Sequence, residues 1–198
     1  MNKVICVTNR HLAGANFLEQ MRRVAGSGVQ AVILREKDLS EPEYELLAGR
    51  VWEICEREQV PLILHTYANA AERLGIFHIH LPFHSFMGMS DKEKRVFEEI
   101  GVSVHTCEEA AAAWKGGAAY LTAGHIFPTD CKKGLPPRGL EFLEEVCRSV
   151  EIPVYAIGGI TPENGALCIR SGAKGVCLMS SLMWAQNPGK LVESILGA

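Results

Sequence analysis

His125 sits where an apolar strand pattern (119–123) breaks into a loop (126–139) containing three prolines, two glycines and the pair Lys132-Lys133. An imidazole titrates near neutral pH and can both take and give a proton. A basic loop beside such a group suits a phosphorylated substrate that undergoes proton transfer. Two plainer readings stand beside this one. His125 is also what a hydrogen-bonded rim histidine looks like, and two loop lysines are also a solvated surface pair. Cys131, six residues further on, has the chemistry of a nucleophile, but that separation along a loop gives no evidence of contact.

Other reactive side chains form no defined set. His78 and His80 are two apart and share one side of a strand. With His65 and His84 they are the material of a metal cluster, yet no HxxxH or carboxylate pattern supplies a geometry. No Ser/His/Asp order, phosphate-binding Walker loop or paired loop carboxylates rises above noise.

The elements that would position these residues alternate without interruption. Strand patterns fall at 4–8, 31–34, 60–64, 77–81, 102–104, 119–123, 154–157 and 175–178. Helical spacing fills the intervals, at 15–25, from Ser40 to about 59, 68–74, 90–100, 108–114, 140–150, from the Thr161-Pro162 start to Gly172, and 187–196. The segment 82–90 reads as a loop. Eight βα units without a break in composition imply parallel strands and a single α/β domain over 1–198, a compact (β/α)₈ TIM barrel. The competing doubly wound sheet often carries GxGxxG after its first strand, and residues 8–14 do not match it.

In such a barrel the active site lies at the C-terminal ends of the strands. Those ends carry Arg35 and Lys37, His65, His84, Thr106, His125, Gly158-Gly159 and Met179-Ser180. Gly158-Gly159 after strand seven and Ser180 after strand eight fall where barrels build a phosphate site from backbone N–H groups.

A net charge of −3 with no basic block gives nucleic-acid binding no electrostatic support. No apolar run approaches the roughly 20 residues of a membrane helix. Seven scattered cysteines without a CxxC read as reduced thiols in a cytoplasmic protein.

The motifs Ile33-Leu-Arg-Glu-Lys37, Gly101-Val-Ser-Val-His-Thr106, Gly124-His-Ile-Phe-Pro-Thr-Asp-Cys-Lys-Lys133 and Ala156-Ile-Gly-Gly-Ile-Thr-Pro-Glu-Asn164 together resemble the thiamine phosphate synthase/TenI superfamily of barrels. Its synthases join a pyrimidine diphosphate to a thiazole phosphate with Mg²⁺. They carry Gln before the Arg-Glu-Lys run, Asn-Asp after strand three and a second Asp after strand four. This chain has Ile33, His65-Thr66 and Ser85 there, so both metal carboxylates are missing.

Residues 124–134 are similar to the TenI branch, with His125 where synthases usually have proline. The resemblance therefore implies a thiazole tautomerase, an isomerase of thiamine biosynthesis that needs neither cofactor nor metal, with His125 as acid/base. It places the substrate phosphate against Thr129, Cys131, Gly159, Met179 and Ser180, and the substrate carboxylate against Arg35 and Lys37, with Lys132 a second candidate. Thr106, Asp130 and Gly158 complete the implied set. The expected partner is a small-molecule thiazole phosphate, with no nucleic acid and no membrane, in what is commonly a homodimer. Two alternatives stay open: a synthase with an altered metal site, and a non-enzymatic regulator that binds thiazole phosphate.

Overall fold

The structure, a computed structural model, describes residues 3–132 and 134–197, with the backbone alone at 131 and 196. Eight parallel strands close into a barrel in sequence order: β1 (Lys3–Val7), β2 (Ala31–Leu34), β3 (Leu62–His65), β4 (His78–Pro82), β5 (Glu99–Val104), β6 (Tyr120–Gly124), β7 (Val154–Ile157) and β8 (Gly175–Leu178). β8 returns to β1 with Val4 opposite Val176, which closes the ring and leaves no open edge. The helices are α1 (Arg10–Ala13), α2 (Phe17–Ala25), α3 (Glu41–Arg57), α4 (Ala68–Leu74), α5 (Phe83–Met87), α6 (Asp91–Lys94), α7 (Cys107–Lys115), α8 (Gly139–Ser149), α9 (Pro162–Arg170), α10 (Ser180–Trp184) and α11 (Pro188–Leu196).

The continuous apolar runs of the strands reflect burial on both faces. Alternate residues go to opposite sides. Ile5, Val7, Ile33, Ile63, Tyr120, Tyr155 and Cys177 fill the barrel interior. Val4, Cys6, Val32, Leu34, Leu64 and Val176 pack outward against the helices. The interior is tight around the Tyr120 ring: a Cβ on Gly101, opposite it in register, would lie 2.1 Å from Tyr120 Cζ.

Local chemistry sets the helix ends. Ser40 N–H donates to Glu43 Oε2 at 2.9 Å, half of a capping box that starts α3. At the other end Val60 N–H reaches Cys55 O and Gln59 N–H reaches Glu56 O, a Schellman pattern with Gln59 in the left-handed region at φ 55°. That capping role is why strand three begins at Leu62 rather than at Val60.

Besides the late start of β3 and the short helices α1 and α10, which the sequence did not suggest, two longer segments differ from the sequence expectation. The helix expected over 90–100 stops after one turn. Ser90 does cap α6, but Glu98 and Glu99 N–H then turn to Phe77 O, and Glu99–Ile100 open β5. Ile100, Val102 and Val104 pack outward at period two, and that burial overrides the helical charge pattern. The expected 82–90 loop contains α5, held by Phe86, whose ring is fully buried.

Candidate active site

The C-terminal mouth of the barrel holds a cavity of about 340 Å³. A recess of about 220 Å³ adjoins it, sharing Lys37, His65 and Pro82 and reaching Thr66. β2 to β6 and β8 deliver polar side chains to this end, from their last residues or the turns that follow, and β7 delivers the Gly158-Gly159 turn.

The turn after β2 supplies two cations. Between them Glu36 is buried, its carboxylate accepting from Thr8 Oγ1 at 2.6 Å and from Arg10 N–H at 3.0 Å, with Arg10 Nη1 at 3.2 Å. Arg10 also forks onto Asp38 at 2.7 and 2.6 Å, which holds that carboxyl well below its usual range. Glu36 lines the adjoining recess with its carboxylate tied to Thr8 and Arg10, and Arg35 and Lys37 line the main cavity. Lys132 comes from the turn at 130–132. Burial, followed by the charges of Arg35 and Lys132, moves the Lys37 amine below its ordinary pKa. No carboxylate of the described residues forms an ion pair with Arg35, Lys37 or Lys132. Glu109 is the one acidic side chain lining the cavity among the described residues, and its Oε2 accepts from His105 N–H.

The floor is polar and neutral. His80 places Nε2 2.8 Å from Ser103 Oγ and Nδ1 3.2 Å from Tyr120 Oη, and Thr122 Oγ1 donates to Ser103 Oγ at 3.1 Å. His65 stands 5.7 Å from His80, ring centre to ring centre. Burial first, then the neighbouring His80 and the positive charges of Lys37 and Arg35, lowers His65 to about 2. Burial and Lys37 lower His80 to about 3. Both rings are therefore uncharged at neutral pH. The backbone of His65 is fixed by Tyr44, whose buried hydroxyl donates to Leu34 O at 2.6 Å and accepts from His65 N–H at 2.8 Å.

The far wall is the turn after β7. Gly158 and Gly159 have φ of 101° and 67°, where a side chain is strained. They also lie against the loop after β6: a Cβ on Gly158 would meet His125 Cβ at 2.3 Å, and one on Gly159 would meet Pro128 O at 2.4 Å. That loop is tied back by Phe127 N–H to Gly158 O, Arg138 N–H to His125 O and Gly139 N–H to Ile126 O. His125 is largely buried in the wall, with Nε2 3.4 Å from Leu135 O.

Of the residues expected from the sequence, Arg35, Lys37, His125, Thr129, Lys132, Gly158, Gly159, Met179 and Ser180 all line the cavity. Thr106 does not; its hydroxyl caps α7 by accepting from Glu109 N–H. Asp130 is not part of the lining either. The side chain of Cys131, and all of Lys133, lie outside the described residues. His65, read from the sequence as a strand-end residue, and His80, read only as possible metal-cluster material, both line the cavity. Ser103 and Thr122 were not expected as site residues; their signal is the inward, alternate register on β5 and β6.

The four-histidine cluster does not assemble. His78 lies between Glu98 and Glu99, 3.5 Å from each, and among the described residues no three His, Cys, Asp or Glu side chains converge on a possible metal position. Mg²⁺ requires hard oxygen ligands, usually with a carboxylate. Thr66 offers a hydroxyl, Ser85 lies outside the lining, Glu36 is spent on Thr8 and Arg10, and Glu109 on the His105 amide. The donor set does not fit the cation.

Fold and site together define a (β/α)₈ barrel with a cationic ligand cavity at its C-terminal mouth. A family model described as thiamine monophosphate synthase matches residues 4–182, and the chain belongs to that family. The thiamine-phosphate synthase 2 of Streptococcus pneumoniae is 34% identical over 187 residues, covering 93% of this chain and 89% of that one. The thiamine-phosphate synthase of Syntrophomonas wolfei is 35% identical over 188 residues, covering 91% and 88%. The solved structure of a thiamine phosphate pyrophosphorylase from Pyrococcus furiosus superposes with a TM-score of 0.84 at 27% identity, over 98% of this chain and 94% of that one.

These names correct the expectation of a tautomerase. Relatives at this level of identity over nearly the whole chain are synthases, which are transferases rather than isomerases. The expectation leaned on His125 replacing a proline, and one imidazole in a wall does not specify a reaction.

Proposed function

We infer that the chain is a synthase of the thiamine-phosphate type, joining a pyrimidine-methyl diphosphate to a thiazole phosphate. The observation that carries this reading is the trio Arg35, Lys37 and Lys132, unpaired with any described carboxylate around one cavity. A diphosphate is the dense anion that such a trio suits. In the reaction the thiazole nitrogen attacks the pyrimidine methylene carbon. A C–N bond forms, the C–O bond to the diphosphate breaks, and pyrophosphate leaves with both bonding electrons. No proton transfer is required at carbon.

The chain's groups divide the work. Arg35, Lys37 and Lys132 take the charge that builds on the leaving diphosphate. The Gly158-Gly159 turn, Thr129 and Ser180 seat the thiazole phosphate, with His125 against the thiazole ring. The uncharged floor of His80, Ser103 and Thr122 offers hydrogen bonds to a neutral nitrogen heterocycle without competing for the anion.

The test is incubation with both substrates and quantification of thiamine phosphate and pyrophosphate. Equimolar formation of the two is expected. Failure to consume the pyrimidine diphosphate, with or without added MgCl₂, would refute the assignment.

A further inference from the structure

His65 is a cavity group with one nitrogen in use. Its Nδ1 lies 2.6 Å from Thr66 Oγ1, and no hydrogen bond within the described chain engages Nε2. No buried side-chain nitrogen or oxygen of the described residues lacks a partner, so Nε2 faces the open cavity. It does so at the junction of the main cavity and the recess, on the side where Arg35 and Lys37 stand. Which nitrogen of a neutral imidazole carries hydrogen is set by the bond the other makes. When the Thr66 hydroxyl donates to Nδ1, Nε2 becomes a donor aimed at whatever anion lies between the cations.

We propose that the His65–Thr66 pair supplies a neutral hydrogen-bond donor to the substrate diphosphate, so that this donor and Arg35, Lys37 and Lys132 hold it without a divalent cation. The proposal rests on the synthase reading for the identity of the anion. It accounts for the donor set at the mouth. A carboxylate at Thr66 would repel the diphosphate in the absence of a cation, whereas a hydroxyl that fixes a tautomer does not. A charged imidazole would be worth more as a point charge. However, Arg35, Lys37 and burial all oppose a third positive charge there, so the ring contributes as a dipole.

The probe is inorganic pyrophosphate, titrated calorimetrically into the full chain in EDTA and again in MgCl₂. Affinities in the two buffers should agree within about three-fold, roughly the scatter of a single contact energy. His65→Leu should weaken binding in EDTA about ten-fold or more, the weight of one hydrogen bond to a charged group. His65→Gln, whose amide nitrogen reaches the Nε2 position, should restore most of it, and Thr66→Val should fall between. ¹⁵N NMR of the imidazoles in the pyrophosphate complex should show hydrogen on Nε2 of His65, a readout that survives if the leucine variant misfolds.

Magnesium tightening binding ten-fold or more, a leucine variant that binds like the parent, or hydrogen on Nδ1 in the complex would each overturn the proposal. Pyrophosphate binding as described without thiamine phosphate formation would sink the synthase reading alone. Synthesis that proceeds only with magnesium would sink this proposal alone.

Discussion

Acidification from pH 7 to pH 5 should cost this barrel about 4 kcal/mol of stability through two side chains, His65 and His80. An imidazole in the unfolded chain takes its proton near 6.5, whereas the folded chain withholds protonation until about 2 at His65 and about 3 at His80. Below 6.5 the unfolded state therefore binds protons that the folded state cannot, and stability falls as the pH falls. At about 1.4 kcal/mol per pH unit below that point, each ring loses about 2 kcal/mol across the interval. That sum is a large part of the roughly 5–15 kcal/mol that holds a typical domain together. Asp38, held low by Arg10, adds the same sign but only below the ordinary carboxylate range, outside this window. The assay is urea unfolding followed by tryptophan fluorescence at pH 7, 6 and 5. His65→Gln and His80→Gln should each remove about half of the excess acid sensitivity. A parent protein that loses less than about 1 kcal/mol over the interval, or two variants as acid-sensitive as the parent, would refute the burial argument.

Three further outcomes follow from single contacts. Gly159→Ala, which drives a Cβ to 2.4 Å from Pro128 O at a φ of 67°, should displace the loop after β6 and cut kcat/KM of the proposed synthase reaction about 100-fold. Tyr44→Phe leaves Leu34 O and His65 N–H without their buried partner, and chemical denaturation should show a loss of about 2 kcal/mol, with the pyrophosphate affinity falling alongside. Gln59→Gly relieves a left-handed residue at the Schellman end of α3 and should raise stability by about 0.5–1 kcal/mol without touching activity.

The barrel was legible because strands covered on both faces read as unbroken apolar runs, and eight of them alternated with helical spacing. The 90–100 helix was misread for a physical reason: Ser90 and Glu93 form a real capping box, so the local signal was sound, but the period-two burial of Ile100, Val102 and Val104 required a strand immediately after it. At the mouth, the cations and the glycine turn were visible as strand-end residues. Thr106 misled because a threonine before a helix is claimed first by the helix's own N–H groups. His65 and His80 were seen as ligand material. Their actual state, neutral and held by hydroxyls, depends on burial and on Lys37, and both come from β-strand neighbours far apart in the chain. His125 lines the cavity where the strand end put it, and a position in a wall carries no information about which bond is made.

The buried Glu36 has a consequence for how the molecule meets its ligands. Its carboxylate is taken up by Thr8, Arg10 and the α1 backbone, and no carboxylate of the described residues pairs with its neighbours Arg35 and Lys37. A chain of net charge −3 thereby acquires a positive pole at one end of the barrel axis. A polyanion approaching from solution is drawn towards the mouth by these cations. Capture is therefore directional, and its rate should fall as ionic strength rises, even where the affinity of the seated ligand changes little.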